Sequence, residues 1–501
     1  MITDYELVVG MEVHAQIATR SKMFCGCSTD SWDAAANSHT CPVCLAMPGM
    51  LPVINREAVA QTIRAGLALN CTIAEEAVFA RKNYNYPDLP KGYQISQYEL
   101  PLCHGGWMDV EVEAEGKVKR IGITRAHLEE DTGKLVHDGD ASLVDLNRAG
   151  VPLLEIVTEP DLHSIDEVNE YLTRLRQLLV QIGVNSGDLE KGAMRMEANV
   201  SLRRTDRRGE AFPDSLAMAE SPAGNASPLL GTKVEIKNLN SFRAVRNALE
   251  YEVKRQSQLL DGGGEVEQVT LGWLEAQGRT YVQRSKESAH DYRYFPEPDL
   301  PPLFIERAWV EELAASLPEL PLARRSRLQT EYGLNAYDAD VLTAERPVAD
   351  YYEQVVAAVG EAGDPKSVAN WVMGELFRLL NQSDKTLGEA PITPAAFADL
   401  LKLVAAGTIN ANTGKRVLET MLRTGESAAA IVAREGLAQV SDADVLNQAI
   451  DRVLAAAPDE VARYREGKTQ LLGWFIGQVM RETRGKGNPD IVRQALLARL
   501  G

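Results

Sequence analysis

Two groups of residues in this 501-residue chain could do chemistry: four cysteines in two close pairs, and carboxylates recurring on alternating strands. Cys25 and Cys27 are followed, across a polar loop, by Cys41 and Cys44. Four thiolates so paired can wrap one tetrahedral Zn2+ and leave no open position, so the spacing predicts a structural zinc site. The carboxylates are Glu12 (beside His14), Glu129, Glu130 and Glu155, with Glu197 and Glu235 further along. An oxygen set with one imidazole suits Mg2+ or Mn2+ better than zinc. Clustered carboxylates repel unless a cation screens them, and a hard cation held this way points to phosphate chemistry. Glu197 and Glu235 form a candidate second cation site.

These side chains need a scaffold that turns them the same way. In YELVVGMEVHAQ, Tyr5, Leu7, Val9, Met11 and Val13 alternate with Glu12, His14 and Gln16. IGITRAHLEED sets Arg125, His127 and Glu129 on one face, and LLEIVTEP does the same for Glu155 and Glu159. RMEANVSLR aligns Arg195, Glu197, Asn199 and Ser201, while TKVEIKN aligns Lys233, Glu235 and Lys237. Period-two alternation predicts five half-buried strands. One such strand reads as an exposed antiparallel face with ordinary surface charge; five carrying carboxylates at successive positions, with little to neutralise them, predict a shared acidic face.

The rest of the chain divides. A helix is expected after Ser164, capped by it and by Glu167, with Ile165, Val168, Leu172, Leu175, Leu179 and Ile182 as its apolar face and Gly183 at its stop. Another runs from Ser241 to Leu260. The stretch from about 206 to 230 reads as a surface insertion. HDYRYFPEPDLPPL, too proline-rich for regular structure, is expected to close a first domain over 1–302. Amphipathic helices follow over 303–390, among them Pro347 to Val359, and small helices over 391–501. The fold class is therefore α+β: a large mixed domain with an antiparallel sheet, then two all-α domains.

Net charge is −18, yet from Pro391 onward fourteen Lys and Arg meet twelve Asp and Glu, so the tail is slightly basic. A nonspecific nucleic-acid binder is excluded by the acidic body; local capture of a polyanion by the tail is not. Arg481, Arg484 and Lys486 precede an Asn488-Pro489 helix start, a pattern suited to phosphate. No P-loop or Rossmann glycine pattern is present, no apolar run reaches the ~18 residues that span a bilayer, and the N-terminus lacks a signal-peptide layout. The expected location is cytoplasmic. RKNYNYPDLPKGYQISQ, with three tyrosines and the lysines Lys82 and Lys91, reads as a substrate-contacting segment. The residues alone leave three readings: a metal-dependent phosphoryl-transfer enzyme or ligase, a metallonuclease, and a non-catalytic tRNA-binding scaffold.

YELVVGMEVHAQ, CGCSTD with CPVCLAMPGMLPVIN, RKNYNYPDLPKGYQISQYELP, HLEEDTGKLVHD, SLVDLNRAGVPLLEIVTEPD, VEIKNLNSFRAVRNALEYE and RSKESAHDYRYFPEPDLPPL stand in an order that resembles the B subunit of the tRNA-dependent amidotransferases. The resemblance covers nearly the whole chain. It implies a cradle-shaped catalytic domain, a helical domain and a tRNA-holding tail, working in a heterotrimer with an amidase A subunit, which makes ammonia, and a small C subunit. The implied reaction is ATP-dependent conversion of Glu-tRNA(Gln) or Asp-tRNA(Asn) to the amide, through an acyl phosphate that ammonia from the amidase resolves. Glu12, His14, Glu129 and Glu155 then match one Mg2+ site, and Lys82 lies where ammonia meets the acyl phosphate. Cys25, Cys27, Cys41 and Cys44 match zinc knuckles. Many relatives have Cys-Asp where this chain has Met196-Glu197, one methylene longer at the second cation site.

Overall fold

A computed structural model describes residues 5–112, 117–204, 231–285, 292–383, 385–438, 443–483, 487 and 489–501. The 206–230 insertion lies outside the described residues. The chain divides into two compact units, Met1–Leu320 and Pro321–Gly501.

The first unit contains strands β1 (Tyr5–Gln16), β2 (Thr72–Ile73), β3 (Glu76–Ala77), β4 (Phe79–Asn83), β5 (Tyr93–Gln97), β6 (Cys103–Val112), β7 (Lys117–Glu130) and β8 (Lys134–Asp138). It continues with β9 (Ala141–Asp145), β10 (Pro152–Thr158), β11 (Met194–Arg204), β12 (Val234–Leu239), β13 (Val269–Leu274), β14 (Arg279–Ser285), β15 (Phe295–Pro296) and β16 (Leu303–Phe304). Nine of them form one sheet in the order β14-β13-β12-β11-β1-β10-β7-β6-β2. The pairing is antiparallel except between β12 and β13. The five strands expected from alternation are the five consecutive ones at its centre.

Alternation gives this sheet two unlike faces. Val9, Met11, Val13 and Ala15 of β1 and Met194, Ala198 and Val200 of β11 are fully buried, facing helices α1 (Arg56–Ala68), α2 (Ile165–Gln181) and α3 (Phe242–Asp261). α2 starts where expected: the Ser164 hydroxyl accepts the Glu167 N–H at 3.1 Å. The expected capping box is only half made. The Glu167 carboxylate accepts instead from the His163 N–H and from Lys119, each at 2.6 Å. Gly183, with φ +74°, ends the helix in a conformation other residues resist. Leu175 is fully buried on α2. Leu175→Ala should cost about 2–5 kcal/mol, read from the denaturation midpoint of the full chain.

The first compact unit runs through Leu320. Strand β16 pairs with β3, and α4 (Arg307–Ala315) packs on α1, with Arg56 4.8 Å above the Trp309 ring. These contacts tie 303–320 to the sheet domain.

The second unit is helical, and its cores fall elsewhere than the expected division at 390. One core joins Leu328, Tyr352, Val355 and Leu376 with Phe397, Leu400, Leu418 and Ile431. The Pro394–Ala405 helix packs on Arg346–Val359, and the Tyr351 hydroxyl donates to the Ile392 carbonyl at 3.4 Å. Buried apolar side chains from both sides of 390 therefore share one core. A separate core gathers Leu446, Ile450, Phe475, Val479, Val492 and Leu496. Among the described residues no helix is long and apolar enough to cross a membrane.

Candidate active site

The order β12-β11-β1-β10-β7 brings the polar faces of five strands onto one surface. Across it, His127, Glu155, His14 and Arg195 stand opposite one another in succession. His14 Nε2 lies 3.4 Å from Glu129 Oε1 and 3.3 Å from Glu155 Oε2. Two residues along β1, Glu12 faces Glu197, and Asn199 faces Glu235. The ligand atoms form two separate groups, each within 4.8 Å: His14, Glu129 and Glu155; and Glu12, Glu197 and Glu235.

Glu12 groups in space with Glu197 and Glu235. The reason is strand geometry. Residues two apart on a strand are about 7 Å apart, whereas neighbouring strands are about 4.8 Å apart, so Glu12 meets Glu197 more readily than the partners of His14. A register shift between Met196 and Ala198 places both Lys237 and Asn238 against Glu197. Asn238 adopts φ +67°, which asparagine tolerates, and the extra residue resets the alternation so that Leu239 is buried. Glu130, also among the sequence candidates, turns away to pair with Lys91 and to accept the Ile95 N–H at 2.9 Å.

Above the sheet, β4 and β5 form a hairpin from the segment expected to touch substrate. It helps enclose a cleft of about 830 Å3 lined by both carboxylate groups and by Lys82. The hairpin is why this face is not the solvated one that alternation suggests: His127, Glu129 and Glu155 are 2%, 1% and 6% exposed. Nor is the acidity uncompensated. Lys82, Arg125, Arg195 and Lys237 line the same cleft. Lys237 Nζ lies 2.5 Å from Glu197 Oε2 and 3.2 Å from Glu235 Oε1, so a lysine occupies the space beside the second group.

Burial and charge set opposite protonation tendencies. Burial alone would lower His14, but its hydrogen bond to Glu155 and the charges of Glu155 and Glu129 raise it to about 9. Burial and repulsion from Glu155 push Glu129 up to about 7. Burial also opposes ionisation of Glu155, yet His127, His14 and Lys82 hold it well below the usual carboxylate range. Burial drives His127 itself down to about 4, so near neutral pH His14 and Lys82 carry that effect. Lys82 stays charged despite burial because Glu129 lies close. Glu12 is raised by burial and then by the charges of Glu155 and Glu197. Two carboxylates with one imidazole in the first group, and three carboxylates in the second, are donor sets that suit a hard divalent cation.

The four cysteines also come together, their Sγ atoms all within 4.8 Å and the Cys41–Cys44 pair 3.8 Å apart. Ligands on one tetrahedral zinc at ~2.3 Å would be about 3.8 Å apart, so the cluster fits that ion. Two tight turns produce it. The Lys22 N–H donates to the Cys27 carbonyl at 2.9 Å, and the Cys41 N–H donates to Cys44 Sγ at 3.1 Å. The hydrogen bond from Cys25 and the nearby Lys22 ammonium pull Cys44 down to about 4. Cys71 and Cys103 are buried apart from this cluster.

In the tail, Arg481 is exposed near the end of the Leu471–Glu482 helix. Arg484, Lys486 and Asn488 lie outside the described residues. Sequence reasoning also missed Asp131. It is buried and accepts from Arg195 at 2.7 Å and from Gln16 at 3.0 Å, bracing two polar residues of the central strands. It missed Tyr292 and Tyr294 as cleft residues too, because no periodicity links them to strands two hundred positions away.

Comparison with known proteins agrees with this layout. Residues 7–311 match the family model of the GatB/GatE catalytic domain, and residues 350–500 match that of the GatB domain. The chain is 51% identical over 502 residues to the B subunit of the aspartyl/glutamyl-tRNA(Asn/Gln) amidotransferase of Geotalea daltonii, with 99% of each chain covered. It is 50% identical to the protein of the same name from Geobacter sulfurreducens, again over 99% of each, and 51% identical to that from Roseiflexus sp., over 98% of each. Matches of this extent, spanning both the sheet domain and the helical unit, place the chain in the GatB family, that of amidotransferase B subunits.

Proposed function

We propose that this chain is the subunit of a tRNA-dependent amidotransferase that activates the side-chain carboxylate of misacylated Glu-tRNA(Gln), Asp-tRNA(Asn) or both, and then amidates it. The observation that carries the reading is the pair of three-ligand acidic groups on the floor of one cleft that the half-buried Lys82 also lines. A carboxylate attacking ATP is an encounter of two anions, and bound Mg2+ supplies the charge screening and alignment it needs. His14, Glu129 and Glu155 would hold one ion and Glu12, Glu197 and Glu235 another.

The chain's own residues then divide the work. The carboxylate oxygen of the aminoacyl group attacks the γ-phosphorus, ADP leaves, and an acyl phosphate remains. Ammonia attacks the acyl carbon, phosphate leaves and the nitrogen loses a proton. Lys82, kept cationic by Glu129 and Glu155, would stabilise the negative charge that builds on the acyl oxygens. Ammonia comes from an amidase A subunit, with a small C subunit to complete the heterotrimer, and tRNA is held through the helical tail, with Arg481, Arg484 and Lys486 contributing. The complex works in the cytoplasm, where tRNA is charged.

ATP hydrolysis and amide formation by the assembled complex, with and without misacylated tRNA, test this reading. Coupled turnover that requires both ATP and Mg2+ is expected. Amide formation without ATP, or full activity after neutralising the acidic groups, would leave only a tRNA-binding scaffold. The four-cysteine cluster predicts one tightly held zinc per chain, contributing to the folding of a polar loop. Elemental analysis of protein purified under reducing conditions should find it after a chelator wash. A reduced, folded chain without zinc would overturn the assignment.

A further inference from the structure

The cleft contains a feature that the proposed chemistry does not use. Five of the chain's fifteen tyrosines, Tyr84, Tyr86, Tyr98, Tyr292 and Tyr294, line it. Three of them form a connected aromatic cluster around Lys82. Tyr84 and Tyr292 meet edge-on at 5.9 Å, Tyr292 and Tyr294 edge-on at 6.1 Å, and Lys82 Nζ lies 5.2 Å from the centre of the Tyr292 ring. The cluster ends in a different geometry. Tyr98 stacks on Tyr294 with ring centres 4.2 Å apart and planes within 5°.

A stack built only for packing would be enclosed on both outer faces, because ring burial is what stabilises it. Here Tyr294 is half-buried but Tyr98 is 49% exposed. The inner ring is fixed by its neighbours and the outer one presents surface to the cleft. A flat ligand that extends such a stack gains area at little entropic cost, since the platform is already ordered. Phenols are uncharged, so the platform draws a neutral π-system rather than the phosphates that the acidic floor would repel.

We propose that the Tyr98–Tyr294 stack is the seat of an adenine ring. The proposal rests on the amidation reading above, in which two molecules bearing adenosine must reach this cleft: ATP, and the 3′-terminal adenosine that carries the amino acid. Both carry a purine tethered to the group that must approach the carboxylates, and a purine covers a tyrosine ring more fully than a pyrimidine does.

The test uses the assembled complex with Tyr98→Ala, Tyr98→Leu and Tyr98→Phe. KM is measured separately for ATP and for misacylated tRNA, and glutamine hydrolysis reports assembly. Tyr98→Phe keeps the ring and should stay within about two-fold of wild type. Tyr98→Leu keeps apolar bulk without a stacking face, and with Tyr98→Ala it should raise one KM by roughly ten-fold or more. A rise confined to ATP assigns the platform to the nucleotide, and one confined to tRNA assigns it to the 3′ end. If Tyr98→Leu, or Tyr98→Ala in an assembled complex, leaves both KM values unchanged or lowers kcat alone, the proposal is overturned. Wild-type complex that makes no amide from ATP would instead defeat the amidation reading, so the two failures are distinct.

Discussion

Glu155→Gln is expected to lower ATP-dependent amide formation by roughly 100-fold or more while leaving glutamine hydrolysis by the assembled complex within about three-fold of wild type. The substitution preserves shape and removes one charge at the best-connected point of the acidic face. Glu155 stands opposite His14 on one side and His127 on the other, and its carboxylate lies 3.3 Å from His14 and 3.9 Å from Arg125. A neutral amide at that position does not serve a hard cation as a full anionic ligand. The two activities should separate because, in the proposed division of labour, glutamine hydrolysis belongs to a partner chain. A Glu155→Gln complex that amidates within about three-fold of wild type would refute the metal role. A parallel loss of glutamine hydrolysis would point to failed assembly.

Removing residues 443–501 should raise KM for aminoacyl-tRNA by roughly ten-fold or more without destroying the cleft. The cut follows from the core structure. Deletion from Pro394 would strip Phe397, Leu400, Leu418 and Ile431 from a core they share with Tyr352 and Val355, and would expose the remainder. Deletion from Ala443 removes the last four helices, whose buried side chains form their own core around Phe475 and Val479. If those helices grip tRNA through phosphates, each lost contact lowers the dependence of binding on log salt by about one. Filter binding across a salt series reads this directly. A truncated chain that assembles and retains both tRNA affinity and salt slope would place the grip elsewhere.

Much of the site was legible because strand alternation is local. A side chain's face depends only on whether its position is odd or even, so Glu12, His14, Glu155, Glu197 and Glu235 were identifiable without knowing which strands pair. Likewise the turns that gather four thiolates are short, and the spacing of Cys25, Cys27, Cys41 and Cys44 is enough to propose one cluster. The start of α2 needed only Ser164 and its neighbours. Even there, the partner of the Glu167 carboxylate depended on Lys119, forty-eight positions away.

What alternation cannot provide is strand order, and the division of the carboxylates depends on it. Only the placement of β1 between β10 and β11 sets Glu12 against Glu197 and His14 against Glu155. That Lys237 reaches Glu197 depended on β12 pairing with β11, and the burial of Glu129 needed a hairpin folding over the sheet from residues 79–97. The extent of the first compact unit to Leu320, and of the core that spans 390, was hidden for the same reason, since a core is a set of contacts and not a run of composition. The sequence by itself determined which residues share a face and which thiols lie close. Tertiary structure decided which of them touch, because pairing brings atoms from distant positions within the few ångströms over which hydrogen bonds and metal coordination act.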